Sequence, residues 1–108
     1  MNKPAKTKQF TVAITGTTET TVLAAITNTF VDLASIKFSN KSATGVTVTV
    51  RDTTGGTAVD TWYVPATSST GISYPVPFEA QLAGKNWTVQ SSDAITTLYV
   101  TVQGVIRD

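Results

Sequence analysis

The chain has 108 residues and seven carboxylates: Glu19, Asp32, Asp52, Asp60, Glu79, Asp93 and Asp108. Asp52 and Asp60 flank the glycine turn of "VRDTTGGTAVDTWYV". If that turn closes a hairpin, the two can face each other, as a glycosidase pair or a weak calcium site requires. An aspartate opening a Thr-Thr-Gly-Gly turn also bonds readily to its own backbone, and turn chemistry is the simpler reading. No aspartate cluster has the dense alternate spacing of a calcium loop. Serine and threonine hydroxyls are plentiful, but the chain contains no histidine and no cysteine. The commonest general base, the commonest transition-metal ligand and the thiolate nucleophile are therefore all missing. Gly55-Gly56 is an isolated pair between strands, not a phosphate-cradling loop. No catalytic residue, cofactor site or metal site is expected.

Aromatic side chains are the other chemistry-bearing groups. Neighbours in a strand point to opposite faces, so one of Trp62 and Tyr63 is core and the other exposed. Trp62 shares a face with Val64, and Trp87 with Val89, which places both tryptophans in the core. Tyr63 and Tyr99 are then the exposed candidates. Exposed aromatics on a β-sandwich stack sugar rings or anchor protein contacts. Two tyrosines are a slender basis for a sugar platform, so carbohydrate binding is the weaker reading. Asn40-Lys41-Ser42 and Asn86-Trp87-Thr88 match the glycosylation sequon. The opening "MNKPAKTKQFTVAITGTTET" lacks the apolar run of a secretory leader, so both are read as chance matches.

These groups must be positioned by a neutral, hydroxyl-rich scaffold. Charged residues make up 14% of the chain and the net charge is +1, too little for the basic stripe of a nucleic-acid binder. No apolar run approaches the ~18 residues of a membrane span. The length corresponds to one domain. Nearly every segment alternates with period two and is rich in Val, Thr, Ile and aromatics, which predicts strands near 9–15, 20–26, 32–39, 45–51, 58–64, 71–78, 86–91 and 96–106. The stretch from Thr21 competes as a helix through Leu23, Ala24 and Ala25, but its threonines, Val22 and Ile26 favour strand. Residues 1–8, with Lys3, Lys6 and Lys8 around Pro4, read as a flexible basic arm ahead of a 9–108 domain. Val46, Val48 and Val50 oppose Thr47, Thr49 and Arg51; Ile36 and Phe38 oppose Lys37 and Ser39; Leu98, Val100 and Val102 oppose Tyr99, Thr101 and Gln103. Strands with one apolar face each hide it by stacking two sheets. The expected fold is an all-β, single-domain antiparallel β-sandwich of jelly-roll type with about eight strands.

In "GISYPVPFEA", Ile72, Tyr74, Val76 and Phe78 form an apolar face that is expected to pack. Pro75 and Pro77, two apart, remove amides from one lateral side, so this strand belongs at a sheet edge. The prolines either protect that edge or mark a docking edge. For recognition there remain the outward row Thr47, Thr49 and Arg51 with Tyr63, together with Tyr99, the proline edge and the arm.

The segments "VDLASIKFSNKSATGVTVTVRD", "WYVPATSSTGISYPVPFEA" and "NWTVQSSDAITTLYVTVQG", taken together, resemble small β-sandwich virion proteins of tailed bacteriophages, including capsid decoration (cement) proteins. The likeness spans residues 31 to 104 and consists of strand and turn grammar without a functional motif, so no site residue is carried over. It implies a structural protein on the exterior of an icosahedral head, made in the host cytoplasm. Its partners would be the major capsid protein and its own copies, often as a trimer at a symmetry axis. A neck, tail or fibre-base component is the alternative within the virion, and a carbohydrate-binding or adhesin module the alternative outside it.

Overall fold

The computed structural model describes the backbone of residues 6–78, 83–94 and 97–107, with side chains in 9–73, 83–94 and 97–106. Eight strands run through these residues: β1 (Lys6–Ile14), β2 (Thr20–Leu23), β3 (Phe30–Asn40), β4 (Val46–Arg51), β5 (Ala58–Val64), β6 (Ser69–Phe78), β7 (Trp87–Ser91) and β8 (Leu98–Arg107). Each expected strand is present, and two boundaries move by three residues while the others hold within two. β2 stops at Leu23 because the chain turns beyond it: Asn28 has φ 57°, and the Thr29 N–H donates to Ile26 O at 3.1 Å. β1 starts at Lys6, paired with Ile106, so the backbone of Lys6 and Lys8 belongs to a strand and not to an arm. Residues 1–5, Lys3 among them, lie outside the described residues. Among the described residues no helix is long and apolar enough to cross a membrane.

The sheets are ordered β1-β8-β3-β6 and β2-β7-β4-β5. β1 pairs with β8, β2 with β7, β3 with β6 and β4 with β5, all antiparallel. The chain is thus one long nested hairpin whose successive strand pairs fall alternately in the two sheets, which is the jelly roll.

Alternation builds the core between the sheets. Val46, Val48 and Val50 are buried while Thr47, Thr49 and Arg51 are half-buried on the outer face. They stack towards Val31, Leu33, Ile36 and Phe38 of β3 and Leu98, Val100 and Val102 of β8, all buried. Each such side chain contributes on the order of 1.5–3 kcal/mol, the main favourable term for a domain without covalent staples. Trp87 is fully buried, and its Nε1–H donates to Val31 O at 2.6 Å. That bond satisfies the indole where water cannot reach it.

β1 and β6 are the edges of one sheet, and β2 and β5 those of the other. The proline strand is therefore an edge, as expected. Its register with β3 breaks between Ser35↔Ser73 and Leu33↔Phe78. Pro75 and Pro77 fall inside that break, where a missing amide costs no ladder bond. The expected packing of its apolar face does not hold at Ile72, which is 41% exposed although its partner Ile36 is 1% exposed. The cause is an offset between the sheets. Trp62 of β5 packs on Phe38 of β3, with ring centroids 6.0 Å apart, so the second sheet ends over β3 and β6 overhangs it. Trp62, expected in the core, is a half-buried rim residue for the same reason. The side chains of Tyr74, Val76 and Phe78 lie outside the described residues.

Candidate interaction surfaces

The outer face of β2-β7-β4-β5 holds four of the residues expected to recognise a partner, Thr47, Thr49, Arg51 and Tyr63. Thr47 lies opposite Tyr63, and Thr49 opposite Thr61. Tyr63 is 65% exposed, and its ring lies over Gly45, where a β-carbon would collide with the phenol. Arg51 is committed elsewhere. Its Nε donates to Gly56 O at 2.9 Å and its Nη1 to Gln90 Oε1 at 2.8 Å. Glu19 Oε2 lies 4.0 Å from the same Nη1. Both Glu19 oxygens accept the Gly55 N–H at 3.0 Å, and Oε2 also accepts the Thr88 hydroxyl. The Thr88 hydroxyl first, then the Gly55 amide, with Arg51 adding to them, hold the Glu19 carboxyl below its ordinary range against the opposing effect of burial. Arg51 thus ties down the 52–56 turn together with Glu19. Sequence reasoning passed over Glu19 because nothing local marks a loop residue as the acceptor for an amide 36 residues away.

The opposite face, on β1-β8-β3-β6, has three rows that cross all four strands: Ala13–Tyr99–Ser39–Ser69, Thr11–Thr101–Lys37–Gly71 and Gln9–Gln103–Ser35–Ser73; a further row, Thr7–Val105–Asp32, ends on a buried aspartate. The twelve positions of the three rows carry one charge, Lys37, and one aromatic, Tyr99, which is 43% exposed. Hydroxyls pair across strands, Thr11 with Thr101 at 3.3 Å and Ser69 with Ser39 at 3.2 Å. An open groove of about 450 Å³ lies beside Lys37 and Gly71, lined also by Ser35, Ile36, Ile72 and Thr101. Tyr63 and Tyr99 therefore stand on opposite faces and cannot form one stacking platform. Lys3 lies outside the described residues, as do the side chains of Lys6, Lys8, Pro75 and Pro77.

The sequon asparagines serve the fold. Asn40 is buried; its Nδ2 donates to Thr44 O at 2.9 Å and its Oδ1 accepts the Ser42 N–H at 2.8 Å, bracing the β3–β4 turn. Asn86 Nδ2 donates to the Thr21 and Thr54 hydroxyls, each at 2.9 Å. Around the glycine turn, the Thr53 hydroxyl donates to Asp52 O, and Asp60 Oδ1 accepts the next residue's amide. Among the described residues no group of three or more carboxylates gathers into a metal-ligand set.

No protein-family model matches this sequence, and no curated protein does. Solved structures do share its fold. A chain from the disulfide-linked pili that form Bacillus endospore appendages is 19% identical with a TM-score of 0.54, over 99% of this chain and 92% of that one. A chain of the cyanophage Pam1 capsid asymmetric unit is 16% identical with a TM-score of 0.52, over 94% and 84%. PirA is 14% identical with a TM-score of 0.53, over 94% and 96%. At these identities the likeness is one of architecture: the chain is an eight-stranded jelly-roll sandwich. Having no cysteine, it cannot form the disulfide links named for the pili.

Proposed function

We propose that the protein is a structural, non-catalytic component of a phage virion that decorates the capsid exterior, binding the major capsid protein and its own copies. The observation that carries this reading is the central outer face of β1-β8-β3-β6, the twelve positions of the three rows that cross all four strands, with one charge and one exposed aromatic. A face with so few ions is desolvated at low cost, and Tyr99 offers an anchor of the kind that dominates protein interfaces. The sequence resemblance to decoration proteins supports the reading. So does a fold shared with a chain of a phage capsid and with a pilus protein. Each contact made only on the assembled shell stabilises it by mass action. The lysines of the first eight residues would add an electrostatic contact to an acidic patch on a neighbouring subunit.

The test is binding to purified expanded heads. Wild-type protein is expected to co-sediment with heads and raise their melting temperature. Tyr99→Ala and Lys37→Glu, on the proposed face, should lower occupancy at equal concentration, whereas Tyr63→Ala should not. No binding together with an unchanged head melting temperature would refute the decoration role. Labelled protein located at the neck or tail fibres would replace it with the neighbouring virion role.

A further inference from the structure

We propose that the outer trough between β3 and β6 receives an extended acidic segment of a partner protein, in which two carboxylates four residues apart flank an apolar residue. The inference rests on the reading that this face is a contact with another protein, and it specifies that partner's chemistry.

Small side chains make the trough. β6 sets Ser69, Gly71 and Ser73 opposite Ser39, Lys37 and Ser35 of β3 on the outer face. Nothing larger than a serine side chain rises from β6 there, and the groove of about 450 Å³ lies beside Lys37. A second hollow of about 190 Å³ continues it past the end of β3, lined by Ser39, Lys41 and Thr67 among others. Ser69 borders both. The ladder runs on to Lys41, whose N–H donates to Thr97 O at 3.0 Å, while the Asn40 N–H donates to Ser68 O at 2.8 Å. Alternation therefore keeps Lys37, Ser39 and Lys41 on one side, with the two lysines about 13 Å apart along the strand. Tyr99, the register partner of Ser39, lies beside the midpoint.

Charge decides the occupant. Lys37 and Lys41 are exposed, and among the described residues neither forms an ion pair, whereas Arg51 has Glu19. Covering an ammonium without an anion is costly, so a partner that closes over the trough must bring a carboxylate to each lysine. No two of this chain's own seven carboxylates are four residues apart. A strand of a second copy therefore lacks the pattern, and the occupant is a different protein. In an extended segment, residues i, i+2 and i+4 point the same way over about 13 Å. Carboxylates at the two ends then meet Lys37 and Lys41, and an apolar side chain between them meets the Tyr99 ring. A lone ring between two cations suits one such side chain better than a run of stacked sugars.

The probe is the peptide acetyl-Thr-Glu-Thr-Phe-Thr-Glu-Thr-amide, titrated into isotopically labelled protein and followed by amide chemical shifts. The amides of Lys37, Lys41, Gly71 and Tyr99 should move, and the analogue with both glutamates replaced by glutamine should leave them in place. Lys37→Gln and Lys41→Gln should each weaken binding of the peptide and of purified heads about two- to fivefold. Lys85→Gln should not, since Lys85 lies at the opposite end of β3, next to the Gly84 amide that donates to Thr29 O. Head binding should also weaken as salt rises. Heads bound equally well by wild type and the Lys37→Gln/Lys41→Gln double variant, without salt dependence, would overturn this inference and leave the decoration role standing. If no heads bind, the decoration role falls and the peptide titration decides this inference alone. A peptide that leaves the trough amides unmoved overturns it, as does polygalacturonate binding there in the peptide's stead, which would assign the lysines to an anionic sugar.

Discussion

At the residue scale the two tryptophans differ in what surrounds their indole N–H. Trp87 Nε1 has Val31 O as its acceptor, whereas Trp62 Nε1 is buried with none. Removing a satisfied buried donor strands its acceptor, while removing an orphan relieves a desolvation cost. Trp87→Phe should therefore lose about 1–3 kcal/mol, and Trp62→Phe should be close to neutral. Urea unfolding at constant slope reads both, and equal losses would contradict the assignment. Glu19 carries a pH signature. Its carboxyl is held below the ordinary value of 4.5 by the Thr88 hydroxyl and the Gly55 amide. A depressed carboxylate contributes stability that is fully present above the unfolded value and lost as pH falls through the lower folded one. Stability should thus decline on acidification below about pH 4.5. Glu19→Gln should flatten that decline and cost only about 1 kcal/mol at neutral pH, given its place near the surface. Parallel pH profiles for variant and wild type would show that the carboxylate is not the cause.

At the element scale, period-two alternation was enough to place eight strands within a few residues, because side-chain direction in a strand is a local property. It also put Pro75 and Pro77 on an edge, since a proline constrains its own amide wherever the strand lies. Ile72 shows where that reasoning stops: alternation says which way it points, not whether a sheet lies above it. Gly71 offers a direct test of strand spacing. A β-carbon there would collide with Ile36 O and come within 2.7 Å of Lys37 Cα, backbone atoms with no freedom to step aside. Gly71→Ala should cost about 1–3 kcal/mol as an overpacking change. Gly16→Ala, whose β-carbon meets nothing within 4 Å, should leave the melting temperature nearly unchanged. Similar losses in both would mean that β3 and β6 are not so closely apposed.

At the scale of the whole molecule, the nested pairing makes the longest connections between the ends of the chain, Lys6 against Ile106. Closing such loops before their contacts form slows folding, and all-β domains of this kind refold in roughly milliseconds to seconds. Stopped-flow refolding should fall in that range, and completion within microseconds would be inconsistent with the topology. The same topology separates the two tyrosines, sending Tyr63 to one outer face and Tyr99 to the other, so the two cannot serve one contact.

By itself the sequence determined the β class, the strand count, the face of most side chains and the absence of histidine and cysteine chemistry. These depend on composition and on a two-residue repeat. The tertiary structure decided which strands are neighbours and which edges stay open. It also decided that Arg51 braces the 52–56 turn through Gly56, Gln90 and Glu19. Those outcomes rest on hydrogen bonds and burial between residues far apart in the chain, and local periodicity carries no record of them.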